Sequence, residues 1–240
     1  MERLYLEEVD STNKWAKEHI EELKHLSVVY TYKQTAGRGR LERKWNYNGE
    51  DNIYASIVIK HKGGMKDVYS NLTQYLCLIL TEVFDSYNLI YPPKIKWPND
   101  VRIDGKKISG ILAEAVSTKN EAAIILGFGV NLNCKQADMD NIDQPATSLN
   151  LLTGMEIDKE SFLNMVLEKF CLGYDRFIGE GFKSIREEYK KRAEFLNKEV
   201  TVKVFDKTVT GLAVDVTENG ALTIVDKNNN EQTLYIGDIL

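Results

Sequence analysis

Hydrophobic positions along this chain change their period several times, and each change marks an element. Val68, Leu72, Tyr75, Leu76, Ile79, Leu80, Val83 and Phe84 recur at helical spacing and predict a packing helix over 66–87. Residues 52–60 alternate instead, with Ile53, Ala55, Ile57 and Ile59 on one face, and predict a half-buried strand. Nearer the start, 3–9 reads as a short strand. Asp10-Ser11-Thr12-Asn13 then supplies helix-capping side chains, and a helix is expected from there to about Lys24, with Trp15, Ala16, Ile20 and Leu23 inward. The β-branched and aromatic run 27–33 predicts a strand leading straight into a glycine-arginine loop.

Beyond Pro92-Pro93 the pattern turns β-rich. Short strands are expected at 95–97 and 101–103, a hairpin turn at Asp104-Gly105, and longer strands at 107–116 and 122–132. Helical spacing returns over 158–178 and 182–195. From Asn197 four short strands are expected, at 200–204, 208–216, 221–225 and 233–236, with turns at Asn219-Gly220 and 227–230. The expected fold is α+β: a mixed-sheet domain with packed helices over 1–196, and a small β-barrel over 197–240.

Composition narrows the function classes. With 240 residues, 43% of them hydrophobic, the chain can bury one ordinary core and a small second one. A formal net charge of −5 argues against a general nucleic-acid or membrane-surface binder. Cys77, Cys134 and Cys171 are scattered and odd in number, so no disulfide framework is implied. Cys77 and Cys171 fall within helical patterns and are expected to be buried small hydrophobes. The lack of a signal peptide or an apolar run long enough to span a bilayer gives a cytoplasmic expectation. His19, His25 and His61 do not cluster, so no protein-held metal site is expected.

Against that acidic background, Thr35 to Trp45 stands out. Arg38, Arg40, Arg43 and Lys44 crowd into seven residues that also hold Gly39, with Gly37 just before them and Trp45 just after. Guanidinium forks match phosphate and carboxylate oxygens, and glycine lets such oxygens approach the main chain. A solvated basic loop is the alternative. Three further segments carry candidate chemistry: Lys96-Trp97-Pro98-Asn99-Asp100, Lys106 to Glu114, and Gly127-Phe128-Gly129-Val130-Asn131-Leu132-Asn133. Each has an ordinary reading too, as a turn, a strand-edge lysine and a turn-forming asparagine. Gly127-Phe128-Gly129 does not open a helix and is not a dinucleotide fingerprint.

Taken together and in this order, the segments resemble the bacterial biotin–protein ligases. The resemblance rests on Asp10 to Asn13, Gln34 to Arg40, Arg43-Lys44-Trp45, Lys96 to Asp100, Lys107 to Glu114 and Gly127 to Asn131, and it covers essentially the whole chain. It implies the biotin/lipoate ligase-like fold with an SH3-like barrel at the C-terminus. The first motif begins at Asp10, leaving no room for the winged helix-turn-helix of repressor members, so the short, non-DNA-binding form is expected. The chain also stops at Ile239-Leu240 without a basic tail, which puts in doubt any ATP contact made from there in longer relatives.

The implied reaction joins biotin and ATP, carried with Mg2+, into biotinyl-5′-AMP. Biotin then passes to a lysine of a biotin carboxyl carrier domain. Lys107 and Arg40 are the implied catalytic pair. Ser11, Thr12, Asn13, Gln34, Gly37, Arg38, Gly39, Arg40, Lys107 and Gly110 would meet biotin. Arg40, Arg43, Trp45, Asn99, Asp100, Lys107 and Asn131 would meet the nucleotide, with Asp100 a candidate partner for the magnesium of Mg-ATP. Trp97 is expected to pack, and the loop 37–49 to order over ligand. A lipoate ligase or octanoyl transferase and a non-enzymatic regulator are the rival readings. Oligomeric state stays open between a homodimer paired through strands 107–132 and their coverage within one subunit.

Overall fold

The structure is a computed structural model that describes all residues except 41, 42, 44, 46–48, 62–65 and 118–121. The ordering expected of the loop 37–49 therefore falls partly outside the described residues. Seven described strands form the large sheet: β1 (Arg3–Tyr5), β2 (Val28–Thr31), β3 (Asn52–His61), β4 (Lys94–Lys96), β5 (Asp100–Ile103), β6 (Lys106–Ser117) and β7 (Ala122–Asn131), in the order β1-β2-β3-β7-β6-β5-β4. Only the β1–β2 pair is parallel; the other ladders are antiparallel. The helices are α1 (Thr12–Glu18), α2 (Leu72–Asp85), α3 (Gln136–Asp140), α4 (Leu149–Thr153), α5 (Lys159–Glu180) and α6 (Arg186–Arg192).

Strand alternation splits the sheet into two faces. Ile53, Ala55, Ile57 and Ile59 of β3 join Ile124, Leu126, Phe128 and Val130 of β7 in the main core, together with the apolar stripes of α2 and α5. On the opposite face Val29, Val58, Ala123 and Ile125 pack against Ala16 and Ile20. β3 is thus buried on both faces from Asn52 to Ile59 and not half-buried as its alternation suggested. Its second face carries Asn52, Tyr54 and Ser56, polar or amphipathic residues that look exposed in a pattern but lie under other chain segments.

Other differences have local causes. α1 ends at Glu18, short of Lys24; the chain turns through His19, whose ring stacks on Trp15 at 3.8 Å, and the Leu26 N–H then bonds to the Val58 carbonyl. The helix expected from Lys66 begins as a 3-10 turn, Asp67–Asn71, before α2. The hairpin at Asp104-Gly105 forms with φ of 52° and 71°, the left-handed pair that a two-residue turn requires. Cys77 is buried as expected, whereas Cys171 faces outward from α5.

The C-terminal strands are β8 (Glu199–Val204), β9 (Lys207–Val216), β10 (Leu222–Val225), β11 (Glu231–Leu234) and β12 (Asp238–Ile239), one more than the sequence pattern suggested. They form an antiparallel sheet in the order β11-β10-β9-β8-β12. No described ladder joins β11 to β12, so the expected barrel is open: β12 pairs with β8, and its Asp238 side chain turns toward the large domain.

Several donors hold the β9–β10 turn. Asn71 donates to the Asn219 carbonyl at 2.9 Å, and both Gln74, at 2.8 Å, and the Trp97 indole, at 3.1 Å, donate to the Gly220 carbonyl. Gly220 has φ 76°, and a Cβ there would lie 2.3 Å from Asn71 Nδ2. Gly220→Ala should therefore cost about 2–4 kcal/mol of unfolding free energy, read by urea denaturation, from left-handed strain plus the broken contacts. Among the described residues, no helix is long and apolar enough to cross a membrane.

Candidate active site

The ladders register one row of residues across five strands on the α1 face. Lys96 of β4 faces Asp100 of β5, which faces Gly110 of β6, then Gly129 of β7, then Tyr54 of β3. Facing residues in such ladders stand about 5 Å apart. The row therefore places charge at one end, an aromatic hydroxyl at the other, and two glycines between them. The next row, Leu112–Gly127–Ser56, runs toward α1. Where α1 stops covering the sheet, the glycines leave a trough, and a cavity of about 690 Å³ opens over it.

The rim nearest α1 is neutral and tightly bonded. Ser11 caps the helix, accepting from the Lys14 N–H at 3.4 Å. Gln34 Oε1 accepts from the Thr12 N–H at 3.0 Å, and the Ser56 hydroxyl lies 2.8 Å from that of Thr12. Ser56 also donates to Asn13 Oδ1 at 2.7 Å, while Asn13 Nδ2 donates to Glu114 at 2.7 Å and to the Leu112 carbonyl at 3.3 Å. Both amide hydrogens of Asn13 are thus committed to the protein. A Cβ on Gly127 would stand 2.1 Å from Asn13 Oδ1, so this glycine is what lets α1 lie so close to β7.

The opposite rim is cationic. Lys107 Nζ sits 2.8 Å from Asp100 Oδ1 and 5.7 Å from the centre of the Trp45 ring. Its backbone is clamped outside the sheet, with the Lys107 N–H donating to the Pro145 carbonyl and the Thr147 N–H to the Lys107 carbonyl. Burial, with Arg102 nearby, holds the Lys96 ammonium below the usual lysine value. An anion beside it would reverse that shift.

The glycine-arginine loop closes on itself through Trp45 N–H to the Gly37 carbonyl at 3.0 Å and Gly39 N–H to the Arg43 carbonyl at 2.7 Å. Gly37 does not line the cavity. A Cβ there would meet Gln34 Nε2 at 2.7 Å and Trp45 Cβ at 2.8 Å, so it lets the loop fold down. The Trp45 ring lies over the floor, 3.2 Å from where a Gly129 Cβ would be.

Arg40 Nη1 donates to Asn99 Oδ1 at 3.3 Å and to Asp238 Oδ1 at 2.9 Å; Arg43 Nη2 lies 3.8 Å from the other Asp238 oxygen. Asn99 Nδ2 in turn donates to the Ile111 carbonyl, and Asn131 is fixed by donating to the Thr147 carbonyl and accepting from Asn52. Arg38, Arg40, Arg43, Lys96 and Lys107 outnumber Asp100, Asp143 and Asp238 among the described lining residues, so the cavity favours anions. Among the described residues no group of three or more His, Cys, Asp or Glu could hold a metal ion.

A neutral polar pocket and a cationic one, joined over a glycine floor, suit a polar acid lying beside a phosphate. Residues 5–131 match the biotin/lipoate A/B protein ligase family, and residues 195–240 match the biotin protein ligase C-terminal domain. The chain belongs to the biotin/lipoate A/B protein ligase family. Among proteins of this kind it is 29% identical, over 91% of this chain and 92% of the other, to the biotin–[acetyl-CoA-carboxylase] ligase of Paracoccus denitrificans. It is 27% identical to the bifunctional ligase/repressor BirA of Escherichia coli, over 90% of this chain and 67% of that protein. The fold superposes with a TM-score of 0.84 and 27% identity on the Aquifex aeolicus biotin protein ligase in complex with biotin and ATP, covering 100% of this chain and 97% of the other.

Within this ligase-family fold the structure brings together all of the sequence-predicted site residues except Gly37 at the cavity wall: Ser11, Thr12, Asn13, Gln34, Arg38, Gly39, Arg40, Arg43, Trp45, Asn99, Asp100, Lys107, Gly110 and Asn131. Trp97 packs as expected, though one edge also reaches the cavity. Lys96, Gly127, Gly129, Tyr54 and Asp238 also line it: the first three fall in segments that the sequence marked as candidate chemistry without a ligand for each, and the last two were not singled out. Strand register alone would have pointed to the first four. Nothing local marks Asp238.

Proposed function

We propose that this chain is a biotin–protein ligase of two units, 1–196 and 197–240, that makes biotinyl-5′-AMP and passes biotin to a lysine of a biotin carboxyl carrier domain in a biotin-dependent carboxylase. The carrying observation is the single cavity with a neutral rim at Ser11, Thr12 and Gln34 and a cationic rim at Arg40, Arg43, Lys96 and Lys107. Biotin's ureido head suits the neutral rim, where hydroxyl and amide groups both donate and accept. Its carboxylate then points along the glycine floor toward Lys107.

In the first step a biotin carboxylate oxygen attacks the α-phosphorus of ATP, and the bond to the β-phosphate oxygen breaks to release pyrophosphate. Negative charge builds on the α-phosphoryl oxygens, beside Lys107 and Arg40, which need no reorganisation to stabilise it. Arg38 and Arg43 screen the repulsion between the two anions, and Asn99, Asn131 and Trp45 frame the nucleotide. Mg2+ enters on the phosphates. Asp100, already paired with Lys107 at 2.8 Å, orients that lysine first and meets magnesium second. In the second step the acceptor lysine, as the free amine, attacks the anhydride carbonyl, and AMP leaves. Trp45 over the floor keeps water from competing.

Biotin-dependent exchange of labelled pyrophosphate into ATP tests the reading, with lipoate and octanoate as controls. Exchange with biotin alone is expected; none, or exchange only with lipoate or octanoate, sinks it. Asp238→Asn should raise KM for ATP about tenfold while leaving biotin affinity unchanged, because Arg40 loses a charge-assisted partner. Paired titration calorimetry and steady-state kinetics read both. The outer edge of β6 from Leu112 to Ser117 lies beyond the last residue paired with β5, Gly110, and a homodimer, where one forms, would pair there.

A further inference from the structure

The proton positions in the neutral rim are set from outside the cavity. Asn13 and Lys17 stand four residues apart on α1 and so share one face of the helix. Across from them Glu114 of β6 divides its carboxylate: Oε1 accepts from the Lys17 ammonium, and Oε2 accepts from Asn13 Nδ2 at 2.7 Å. Glu114 itself does not line the cavity. An ionised carboxylate can only accept, and so can the Leu112 carbonyl, 3.3 Å from the same nitrogen. With two acceptors on one side, the Asn13 amide has one allowed orientation, and its Oδ1 must face Ser56.

That orientation fixes the next two hydroxyls in turn. Ser56 has one proton and gives it to Asn13 Oδ1 at 2.7 Å. The same proton cannot also serve the 2.8 Å contact between the Ser56 and Thr12 hydroxyls, so Thr12 must be the donor there. Gln34 Oε1, the other acceptor within reach of the Thr12 hydroxyl, is farther away at 3.4 Å. Thr12 Oγ1 is left with lone pairs only. Gln34 Oε1, which takes the Thr12 N–H at 3.0 Å, is an acceptor as well. Thr12, Asn13 and Ser56 are each 4% exposed or less, so bulk water does not scramble the order.

We infer that Glu114 is the positioning residue that sets this polarity, and with it the preference of the pocket for an acid whose far end carries N–H donors, as a cyclic urea does. This rests on the ligase reading and adds what selects its first substrate. An acid that ends in a dithiolane or a plain alkyl chain offers no donor. It would leave buried acceptors unpaired, a heavier penalty than a small misfit of shape.

Three variants of the full chain separate this polarity from the ion pair. Glu114→Gln keeps an acceptor toward Asn13, and its biotin Kd by titration calorimetry should stay within about threefold of wild type. The charge-swapped pair K17E/E114K keeps an ion pair but turns a donor toward Asn13, which reverses the amide and each hydroxyl after it. Its biotin Kd should rise by about 30-fold or more, with Tm and KM for ATP near wild type, because a partly exposed ion pair contributes little in either sense. Ser56→Ala interrupts the relay and leaves the ion pair intact, and its biotin Kd should rise about tenfold. Wild-type affinity in the swapped pair would overturn the assignment, since the ion pair alone would then matter. So would an unchanged Kd in Ser56→Ala, or a loss in Glu114→Gln as large as in the swapped pair. An equal fall in biotin and ATP affinity in the swapped pair would make Glu114 structural and overturn it too. A wild-type chain that binds biotin yet exchanges no pyrophosphate would remove the ligase reading and leave the polarity assignment standing; one that binds no biotin would remove both.

Discussion

Lys107→Met is expected to slow biotin adenylation by about 100- to 1,000-fold, while biotin affinity changes by less than about tenfold. The estimate is that for removing one pre-positioned donor from a developing anion. Lys107 is well placed for that role: its ammonium is held by Asp100 at 2.8 Å and its backbone is bonded on both sides by the 145–147 segment. Methionine keeps the unbranched chain up to the ε position and most of the packing, and removes the ammonium with its charge and donors. A purely structural lysine would behave differently, since its loss would strand the Asp100 carboxylate, and neutralising that carboxylate would help. Asp100→Asn added to Lys107→Met should therefore leave exchange as slow as in the single variant. Recovery of the rate in the double variant would make Lys107 a partner for Asp100 and nothing more. Calorimetric biotin binding in the same samples separates ground-state affinity from the chemical step.

Gly127→Ala is the second substitution with a large expected effect, and it should act on the other substrate. The added methyl would be placed 2.1 Å from Asn13 Oδ1 and 2.8 Å from its Cγ. Asn13 is not a flexible side-chain end that can swing away, because Ser56, Glu114 and the Leu112 carbonyl hold it from three directions. The start of α1 must move instead, carrying Thr12 off Gln34 and displacing Ser11 with it. Biotin affinity should drop by roughly 100-fold, and stability by about 2–3 kcal/mol from overpacking and broken buried hydrogen bonds. Gly179→Ala in α5 is the control: nothing lies within 4 Å of its added Cβ, so biotin binding should be unaffected and stability unchanged or slightly higher. Comparable loss of biotin binding in both variants would show that the tight approach at Gly127 is not what matters.

The candidate site was legible where chemistry is concentrated in short runs. Arg38 to Trp45 announces itself by charge and glycine against an acidic background, and Lys107 by its place beside glycine in an otherwise apolar strand. The floor was not legible, because it exists only once β7 lies between β3 and β6. Tyr54, Gly129, Gly110, Asp100 and Lys96 are scattered along the chain and become neighbours only through that strand order. The same non-locality explains β3, whose polar face reads as solvent-exposed until the cavity and α1 are placed over it. In the C-terminal unit the hydrophobic alternation found β8 to β11 but passed over β12, two residues following a glycine. Its Asp238 is invisible to any window of sequence, being 198 positions from the arginine it holds.

That separation bears on how the molecule is made. During synthesis the arginine loop emerges early, and the large sheet can begin to pair long before β12 exists. Arg40 then lacks its buried carboxylate until the ribosome has added the final strand of the small sheet. Contacts of such long sequence separation form late, after the loop-closure entropy between them has been met. A nascent chain would thus carry most of the pocket without the last contact that sets its phosphate-facing side. Capacity to make a reactive acyl-adenylate would arrive together with the completed C-terminal sheet.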